Sequence, residues 1–535
     1  MKKNRLLGLA LIPTMVIGAL SFSSCGSKKN NFAYDIDFTA DISGVTIDFW
    51  TGFGTDINDV LTDVISEFES MTGVRVNYES KGSYDGVLQA TNLSATQVSY
   101  PHLVVGYPDH FATYVTKDII VRLDYYFEND VPAAFEGDET FEISDFYEDY
   151  MRENQSIEFD RDGNPYTLGV PFNKSTEVMI YNKTFFDWCT AQNDLKDSIY
   201  VPATYEQLDS VGTAILNLFK TKGVYNNVLL SDGTVHKEVP TGRTKDVVID
   251  LTGVFEWGTT TDTTKSFKPF SYDSQANLFI TTVRQNGGTY TYYDKADKHG
   301  YIDFDSQETI NGLNTLKALY DKNIFGIPAD WDEAKYGSNP FKANKTVMTL
   351  GSSAGVANSA PTGNKFEIAA APTLYHEGDS KYVISQGANL ALLDTGTREQ
   401  RLAAWTLLKF LTKYANGYIC ASTGYFPSCP YAENGDLWVG GNVEEYVDYA
   451  TWIEDSQNPL ASMSEKVRAQ TANVNIDHYI KDSENWTKFV DQPFPGSADI
   501  RTQVAAIPGW VFYNTYNPQA AINKMYEILS DYVKK

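Results

Sequence analysis

The sequence predicts an α/β protein with two compact lobes, and three observations support this prediction. The chain has 535 residues, more than the length at which one hydrophobic core usually stops growing. Near the N-terminus, apolar residues alternate between strand and helix spacing, which indicates parallel βαβ units. Within residues 169–183, the polar stretch NKST separates two apolar, strand-like runs. That stretch is long enough for the chain to cross from one lobe to the other.

Composition limits the partners of this protein. Hydrophobic residues make up 42% and aromatic residues 14% of the chain, which is typical of a folded globular protein. The formal net charge is −26. So acidic a surface repels phosphate backbones, which excludes nucleic acid as a partner. An anionic small ligand requires a local basic contact, such as an arginine.

The N-terminus carries a targeting signal. A basic start is followed by an apolar run over 6–22, which predicts a signal peptide over 1–24. Small residues before Cys25 resemble the lipobox of bacterial lipoproteins, although Phe22 replaces the usual aliphatic residue. This predicts a lipid anchor at Cys25, a polar tether over 25–43, and a location on the extracellular face of the cell membrane. The alternative is an ordinary secreted protein with an incidental cysteine.

Strands and helices alternate in the N-terminal part of the predicted fold. Residues 45–49 alternate as a strand, and a helix with apolar residues from Ile57 to Phe68 follows. Further strands are expected at 74–78 and 103–107. In parallel βαβ lobes, ligands bind beyond the carboxyl ends of the strands. The stretches GSY and YPD follow two such ends and contain Tyr84 and Asp109.

The second half of the chain repeats these patterns with one interruption. Helices are expected to begin near Thr204, Ser306 and Thr397, with Glu308 as a capping-box partner in the second and Thr397 as the cap of the third. Residues 223–270 are rich in Gly, Thr, Asp and Asn with weak periodicity, so they are interpreted as a surface insertion. Residues 369–372 and 383–393 resemble strands that leave one lobe and enter the other.

The sharpest enzymatic motif is GSSAG, residues 351–355, which matches G-x-S-x-G. In a serine hydrolase this motif exposes the nucleophile, here Ser353, and an acid and a histidine such as His376 or His478 follow. Pro361 comes too early for the long helix that normally follows the motif. The competing interpretation is a serine pair, Ser352 and Ser353, that binds a hydroxyl or phosphate group.

Other chemistry finds little support in the sequence. The histidines are scattered and no C-x-x-C motif is present, so neither a metal site nor a cofactor is predicted. With Cys25 lipidated, Cys189, Cys420 and Cys429 remain, and this odd number excludes a fully paired set. Cys420 and Cys429 either staple the loop between them or stay as two free thiols.

Eight stretches, in this order, resemble the extracellular solute-binding proteins of ABC importers, the group that includes maltose- and glycerol-3-phosphate-binding proteins. These stretches cover nearly the whole mature chain: IDFWTGF (47–53), GSY (82–84), VPFNKST (170–176), YNK (181–183), VMTLGSS (347–353), QGANL (386–390), AAW with KFL (403–411) and TGYFP (423–427).

The resemblance implies a fold of the type II periplasmic-binding-protein class, with two lobes discontinuous in sequence and joined by a hinge. Lobe 1 is expected to comprise 44–172 and 384–424, and lobe 2 to comprise 173–383 and 425–535. The chain is then expected to cross between the lobes three times: in the NKST stretch, near Gly387 and near Tyr425.

The resemblance also implies a function without catalysis: a monomeric receptor that closes on a sugar, an oligosaccharide or a glycerol-phosphate-like solute and delivers it to membrane permease subunits. The pattern is most similar to the glycerol-3-phosphate branch, with Asp109 aligned only through a gap. Lys174 is expected either to be solvated or to assist an anionic ligand. The implied ligand contacts are Tyr84, Asp109, Ser175, Ser352, Ser353, Gly387, Tyr425 and Arg501.

Overall fold

The computed structural model describes residues 34–97, 99–132, 134–135, 137–334, 336–363, 365–378, 381–430, 449–457 and 461–534. The predicted signal peptide and the predicted lipidation site at Cys25 lie outside these residues. Within the described stretches, no helix combines the length and the apolar character that crossing a membrane requires.

The described strands alternate with helices along the chain. The strands are β1 (Thr46–Thr51), β2 (Arg75–Ser80), β3 (Leu103–Gly106), β4 (Val170–Ser175), β5 (Glu177–Asn182), β6 (Val228–Leu230), β7 (Val235–His236), β8 (Val247–Asp250), β9 (Phe255–Glu256), β10 (Ser266–Phe267), β11 (Phe270–Tyr272), β12 (Thr291–Asp294), β13 (His299–Ile302), β14 (Phe325–Gly326), β15 (Met348–Ser352), β16 (Ile368–Pro372), β17 (Lys381–Ile384), β18 (Gln386–Leu392) and β19 (Trp486–Phe489). The α-helices are α1 (Thr55–Thr72), α2 (Tyr84–Ala95), α3 (Pro108–Thr116), α4 (Asp124–Asn129), α5 (Glu148–Asn154), α6 (Lys183–Ala191), α7 (Tyr205–Lys222), α8 (Gln275–Gln285), α9 (Gln307–Asp321), α10 (Ser338–Lys342), α11 (Arg398–Lys409), α12 (Asn416–Thr423), α13 (Tyr449–Ser456), α14 (Met463–Val474), α15 (Ser497–Val504), α16 (Ala506–Phe512) and α17 (Pro518–Ile528).

Lobe 1 is built on a five-stranded sheet in the order β2-β1-β3-β18-β4. β1 pairs in parallel with β2 and β3, as the predicted βαβ units require, whereas β18 runs antiparallel to β3 and β4. Ile47 and Phe49 alternate into the core of this lobe, where Phe68 of α1 packs against them. Helix α1 ends at Gly73, whose positive φ of 72° suits glycine.

Lobe 2 is built on a second five-stranded sheet in the order β14-β11-β15-β5-β16. Its core gathers apolar residues of β5, β11 and β15 with those of helices α7, α8 and α9. Thr204, Ser306 and Thr397 each accept a hydrogen bond from the main chain of the first helical turn, which confirms the cap predicted at Thr397. The capping box predicted through Glu308 is wrong, because Ser306 caps α9 and bonds the main chain of Thr309 instead. The two sheets confirm the predicted two-lobed α/β architecture.

The chain passes between the sheets within a small region. Ser175 ends β4 of the first sheet and Glu177 begins β5 of the second, with only Thr176 between them. β17 and β18 are separated by Ser385 alone. After α12, the Phe426 main-chain N–H donates to the Lys174 carbonyl over 2.7 Å. The three predicted crossings therefore lie side by side.

Two sequence interpretations, on the cysteines and on residues 223–270, acquire detail in the structure. Cys189, Cys420 and Cys429 are buried thiols, so Cys420 and Cys429 do not staple the loop between them. Residues 223–270 contain a small antiparallel sheet, β7-β6-β8, and the side chains of Leu229 and Ile249 lie in the lobe 2 core. Weak periodicity hid these strands because each has only two to four residues.

Lys174 differs most from expectation. Its side chain is fully buried, and its ammonium pairs with the Glu153 carboxylate of α5. The same ammonium donates to the Gly387 carbonyl over 3.3 Å. Lys174 is therefore neither solvated nor available to an anionic ligand, and it belongs to the framework of the crossings instead.

Candidate functional site

Lobe 1 contributes a cluster of aromatic side chains beside the crossings. Tyr84 begins α2, where Ser83 caps the helix, and its ring lies 4.9 Å from that of Tyr107 and 5.8 Å from that of Phe53. The ring of Tyr425, from the third crossing, lies 6.5 Å from that of Phe53. Burial raises the pKa of Tyr84, as do the neighbouring phenols. These hydroxyls are therefore neutral, and the cluster offers rings and hydroxyls to a ligand.

Asp109 and Gly387 adjoin this aromatic cluster. Asp109 lies in the first turn of α3, where its Oδ1 accepts from the His110 main-chain N–H over 2.9 Å. The main chain of Gly387 lies near enough to Tyr107 to oppose the rise that burial causes in the pKa of the Tyr107 hydroxyl. An added Cβ on Gly387 would lie 1.9 Å from the Asn173 carbonyl oxygen. Only glycine allows this close approach of two crossing strands.

Two of the predicted serines, Ser352 and Ser353, lie in lobe 2, whereas Ser175 lies at the first crossing. Ser175 ends β4 and is 3% exposed, and its main chain pairs with Gln386. Ser353 is fully buried, and its Oγ accepts from the Thr176 main-chain N–H over 3.0 Å. Ser352 is partly exposed and pairs with Glu177 across β15 and β5. The serine pair therefore supports the first crossing directly.

Arg501 belongs to a hydrogen-bonded chain of polar side chains in lobe 2. Its guanidinium, from helix Ser497–Val504, donates to the Oδ1 of Asn277 on α8. The Asn277 Nδ2 donates to the Glu177 Oε1 over 2.7 Å, and the Tyr272 hydroxyl donates to the Glu177 Oε2. Helix Ser497–Val504 also lies against α3 of lobe 1, and the charge of Arg501 opposes the rise that burial causes in the pKa of Tyr107. The hydrogen bonds fix the guanidinium within lobe 2.

Two carboxyl groups of lobe 2 near Arg501 are removed from solvent: Glu177 is buried and Asp273 is half-buried. Burial raises the pKa of Glu177 to about 7, against the opposing effects of hydrogen bonds from Tyr272 and Asn277 and the charge of Arg501. Burial likewise raises the pKa of Asp273 to about 7, and the charge of Glu177 adds to this shift. The Gly337 main-chain N–H donates to Asp273 over 2.6 Å. Both carboxyls therefore titrate near neutral pH.

These shifts predict how stability depends on pH. The folded protein retains protons on Glu177 and Asp273 that the unfolded chain loses near pH 4, so stability falls as pH rises from about 4 to about 7. We expect Glu177→Gln to reduce this fall by on the order of 2 kcal/mol between pH 4.5 and 7.5. Urea unfolding across this range measures it, with the exposed Glu527→Gln as the matched control. Equal pH slopes in the two variants would contradict the prediction.

All the sequence-predicted contacts lie around the three crossings. The aromatic residues and Asp109 come from lobe 1, Ser352, Ser353 and Arg501 come from lobe 2, and Ser175 and Gly387 belong to the crossings themselves. Sequence reasoning missed Glu177, Asp273 and Asn277. A signal existed for each: Glu177 is a lone acid opening an apolar strand, and the other two follow the end of β11 as Asp109 follows β3.

Comparison with protein families assigns most of this chain. Residues 63–448 match the model of a family described as bacterial extracellular solute-binding protein. A comparison with curated protein sequences gives no significant match.

Many solved structures share the fold at low sequence identity. The GacH receptor of Streptomyces glaucescens, solved unliganded and with acarbose, is 14% identical with a TM-score of 0.59, and the match covers 92% of this chain and 98% of that one. UgpB of Mycobacterium tuberculosis, in complex with glycerophosphocholine, is 16% identical with a TM-score of 0.60 and the same coverage. Lmo0181 of Listeria monocytogenes, in complex with cycloalternan, is 13% identical with a TM-score of 0.60, covering 91% of this chain and 98% of that one.

Proposed function

Because the chain belongs to the family of bacterial extracellular solute-binding proteins, we propose that it is the substrate-binding lipoprotein of an ABC importer. It captures a sugar or glycerol-phosphate-like solute between its two lobes and delivers it to the permease. The lipid at Cys25 holds it on the extracellular face of the membrane, where it works as a monomer. The observation that carries this proposal is that the aromatic cluster and the hydrogen-bonded side chains of Arg501, Asn277 and Glu177 both lie beside the three crossings.

The arrangement suits a solute rich in hydroxyl groups. Aromatic faces pack against the apolar faces of sugar rings, and tyrosine hydroxyls and carboxylates bond their hydroxyl groups. Structural neighbours with acarbose, cycloalternan or glycerophosphocholine bound show that this fold accepts such molecules. Asp491 and Glu177 both interact electrostatically with Arg501. These carboxyls oppose a phosphate at Arg501, which favours a neutral solute over glycerol-3-phosphate.

Solute binding is coupled to hinge bending between the two lobes. A solute that contacts both lobes stabilises the closed arrangement, because only in that arrangement can the solute contact both lobes at once. The permease then distinguishes the closed, loaded receptor from the open one. No step of this function requires a covalent change in the solute.

The competing function is a surface serine hydrolase that uses Ser353. Its Oγ is held by the Thr176 main chain, and a short 3₁₀ helix, Ser353–Ser359, follows in place of a long α-helix. His376 contacts Glu206 over 3.1 Å and stacks on Tyr205 with ring centroids 4.7 Å apart. These contacts favour a structural role for Ser353.

Binding measurements test the proposal directly. We expect calorimetric titration with maltotriose, ribitol, glycerol-3-phosphate and glycerophosphocholine to find at least one compound with a micromolar Kd and no reaction product. Tyr425→Ala should weaken that binding at least tenfold, because it removes a ring and a hydroxyl from the cluster. Tyr301→Ala, in the surface hairpin of β12 and β13, should leave it unchanged.

The same titrations separate the ligand classes and the competing function. If Arg501→Ala leaves the affinity for the preferred compound unchanged, the solute is neutral at that position. If a compound is hydrolysed and Ser353→Ala abolishes the hydrolysis, the receptor function is contradicted.

A further inference from the structure

A short stretch of lobe 2, residues 486–492, lies against helix α5 of lobe 1 close to the crossings. β19 pairs in parallel with β17, and its Trp486 and Phe489 lie in apolar clusters of lobe 2. Helix α5 is anchored in the lobe 1 core through Met151. Contacts between β19 and α5 are therefore contacts between the lobes.

The central contact of this interface is Lys488. Its ammonium lies 4.5 Å from the centre of the Tyr150 ring and 3.9 Å from the Asp149 carboxylate. The side chain is only 8% exposed. Beside it, the Gln492 Nε2 donates to the Ser156 carbonyl over 2.5 Å. A cation of lobe 2 is thus seated on an aromatic ring of lobe 1.

The same ring connects this contact to the crossings. The Lys174 ammonium lies 5.3 Å from the Tyr150 ring and pairs with Glu153, which also acts electrostatically on Lys488. Lys174 belongs to the first crossing, its ammonium donates to Gly387 of the second, and its carbonyl accepts from Phe426 of the third. A rotation of one lobe relative to the other about the crossings therefore moves Tyr150 and Asp149 relative to the Lys488 ammonium.

The free energy of the contact between Lys488 and Tyr150 is small enough for the contact to form and break reversibly. Burial disfavours the charged ammonium and lowers the pKa of Lys488, whereas Asp149 and Glu153 oppose that shift. Desolvation and attraction therefore oppose each other, and the net free energy of the contact is small compared with that of an apolar interface. A polar contact of this kind permits the lobes to separate.

We propose that Lys488 is a latch between the lobes: seated on Tyr150 beside Asp149, it holds the closed arrangement, and its release into solvent accompanies opening. The inference rests on the proposed function and deepens it. It names a contact that sets the equilibrium between the open and closed arrangements of the lobes, and solute binding shifts that same equilibrium. It concerns the ligand-free protein, so it is tested without knowledge of the solute.

Distance measurements between the lobes test the latch. Spin labels at Lys117→Cys of lobe 1 and Lys322→Cys of lobe 2, both exposed positions, report the closed and open populations by double electron–electron resonance. The background is the full chain with Cys25→Ser, since the other three cysteines are buried. Removing a desolvated cation–π contact should lower the closed-to-open ratio about five- to tenfold in Lys488→Met.

Matched variants distinguish a latch from a general loss of structure. Lys488→Arg keeps the charge and the ring contact, so it should restore most of the closed population. Lys481→Met, an exposed lysine of lobe 2 paired with Asp477, should leave the distribution unchanged. Should Lys488→Met fail to fold, Gln492→Leu removes the neighbouring contact between the lobes and should shift the distribution in the same direction.

A distance distribution in Lys488→Met that superimposes on that of the wild type overturns the latch, as does an unchanged distribution in Gln492→Leu. Failure of every compound in the solute panel counts against the proposed function alone. The two inferences therefore fail separately.

Discussion

Replacing Gly387 by alanine is expected to destabilise the protein by about 3–5 kcal/mol and to abolish solute binding. Gly387 has a φ of +100°, a conformation that costs an L-residue roughly 1–2 kcal/mol. The new Cβ would also lie 1.9 Å from the Asn173 carbonyl oxygen and 2.6 Å from the Lys174 Cα. Relieving this overlap requires the first two crossings to move apart, at a further cost of about 2–3 kcal/mol.

Urea unfolding of the ligand-free protein measures this loss, and calorimetry on any folded fraction measures binding. Gly355→Ala is the matched control, because its Cβ would meet no atom within 4 Å. We expect that control to retain both stability and binding. A Gly387→Ala protein as stable as Gly355→Ala would show that the crossings adjust freely, which would contradict the close approach described above.

Removing the carboxylate of Asp330 is expected to destabilise lobe 2 by about 4 kcal/mol, because it leaves a buried ammonium without its counter-ion. Lys268 is fully buried and pairs with Asp330 over 3.0 Å. Its ammonium also lies 3.5 Å from the centre of the Tyr320 ring and 3.9 Å from that of Trp257. Burial already lowers the pKa of Lys268 to about 8, although Asp330 opposes the shift. Asp330→Ala also removes the acceptor of the Tyr320 hydroxyl.

Thermal and urea unfolding of Asp330→Ala measure this effect. Asp477→Ala breaks an exposed pair with Lys481 of similar length, 3.1 Å, and should change stability little because solvent screens such pairs. The double variant Lys268→Met with Asp330→Leu removes both charges and should recover part of the loss. Equal unfolding curves for Asp330→Ala and Asp477→Ala would contradict a dependence on burial of the pair.

Local patterns predicted the elements well where the apolar periodicity is clear. The strand and helix over residues 45–68 appear as β1 and α1, and Thr397 forms a capping box at the start of α11. The segment 223–270 was harder, since its strands are too short to show a period. Short strands depend on long-range pairing for their stability, and that pairing is not visible in a local window.

The site was predicted in part. The residues that follow strand ends or lie at the crossings, such as Tyr84 and Tyr425, meet in one region. Glu177 and Asn277 were not predicted as site residues. Their role depends on the hydrogen bond between them, and they lie 100 positions apart in the sequence. Whether the predicted residues contact solute stays a prediction for the binding measurements.

By itself, the sequence predicted the alternation of strands and helices and the first crossing, because apolar periodicity is a local property of the chain. The other two crossings followed from the resemblance to solute-binding proteins. Only the tertiary structure decided what each polar side chain does. Lys174 is the clearest case, since its buried ammonium pairs with the Glu153 carboxylate and donates to the Gly387 carbonyl. A charge is solvated or structural according to what surrounds it in space, and that environment is assembled from residues far apart in the chain.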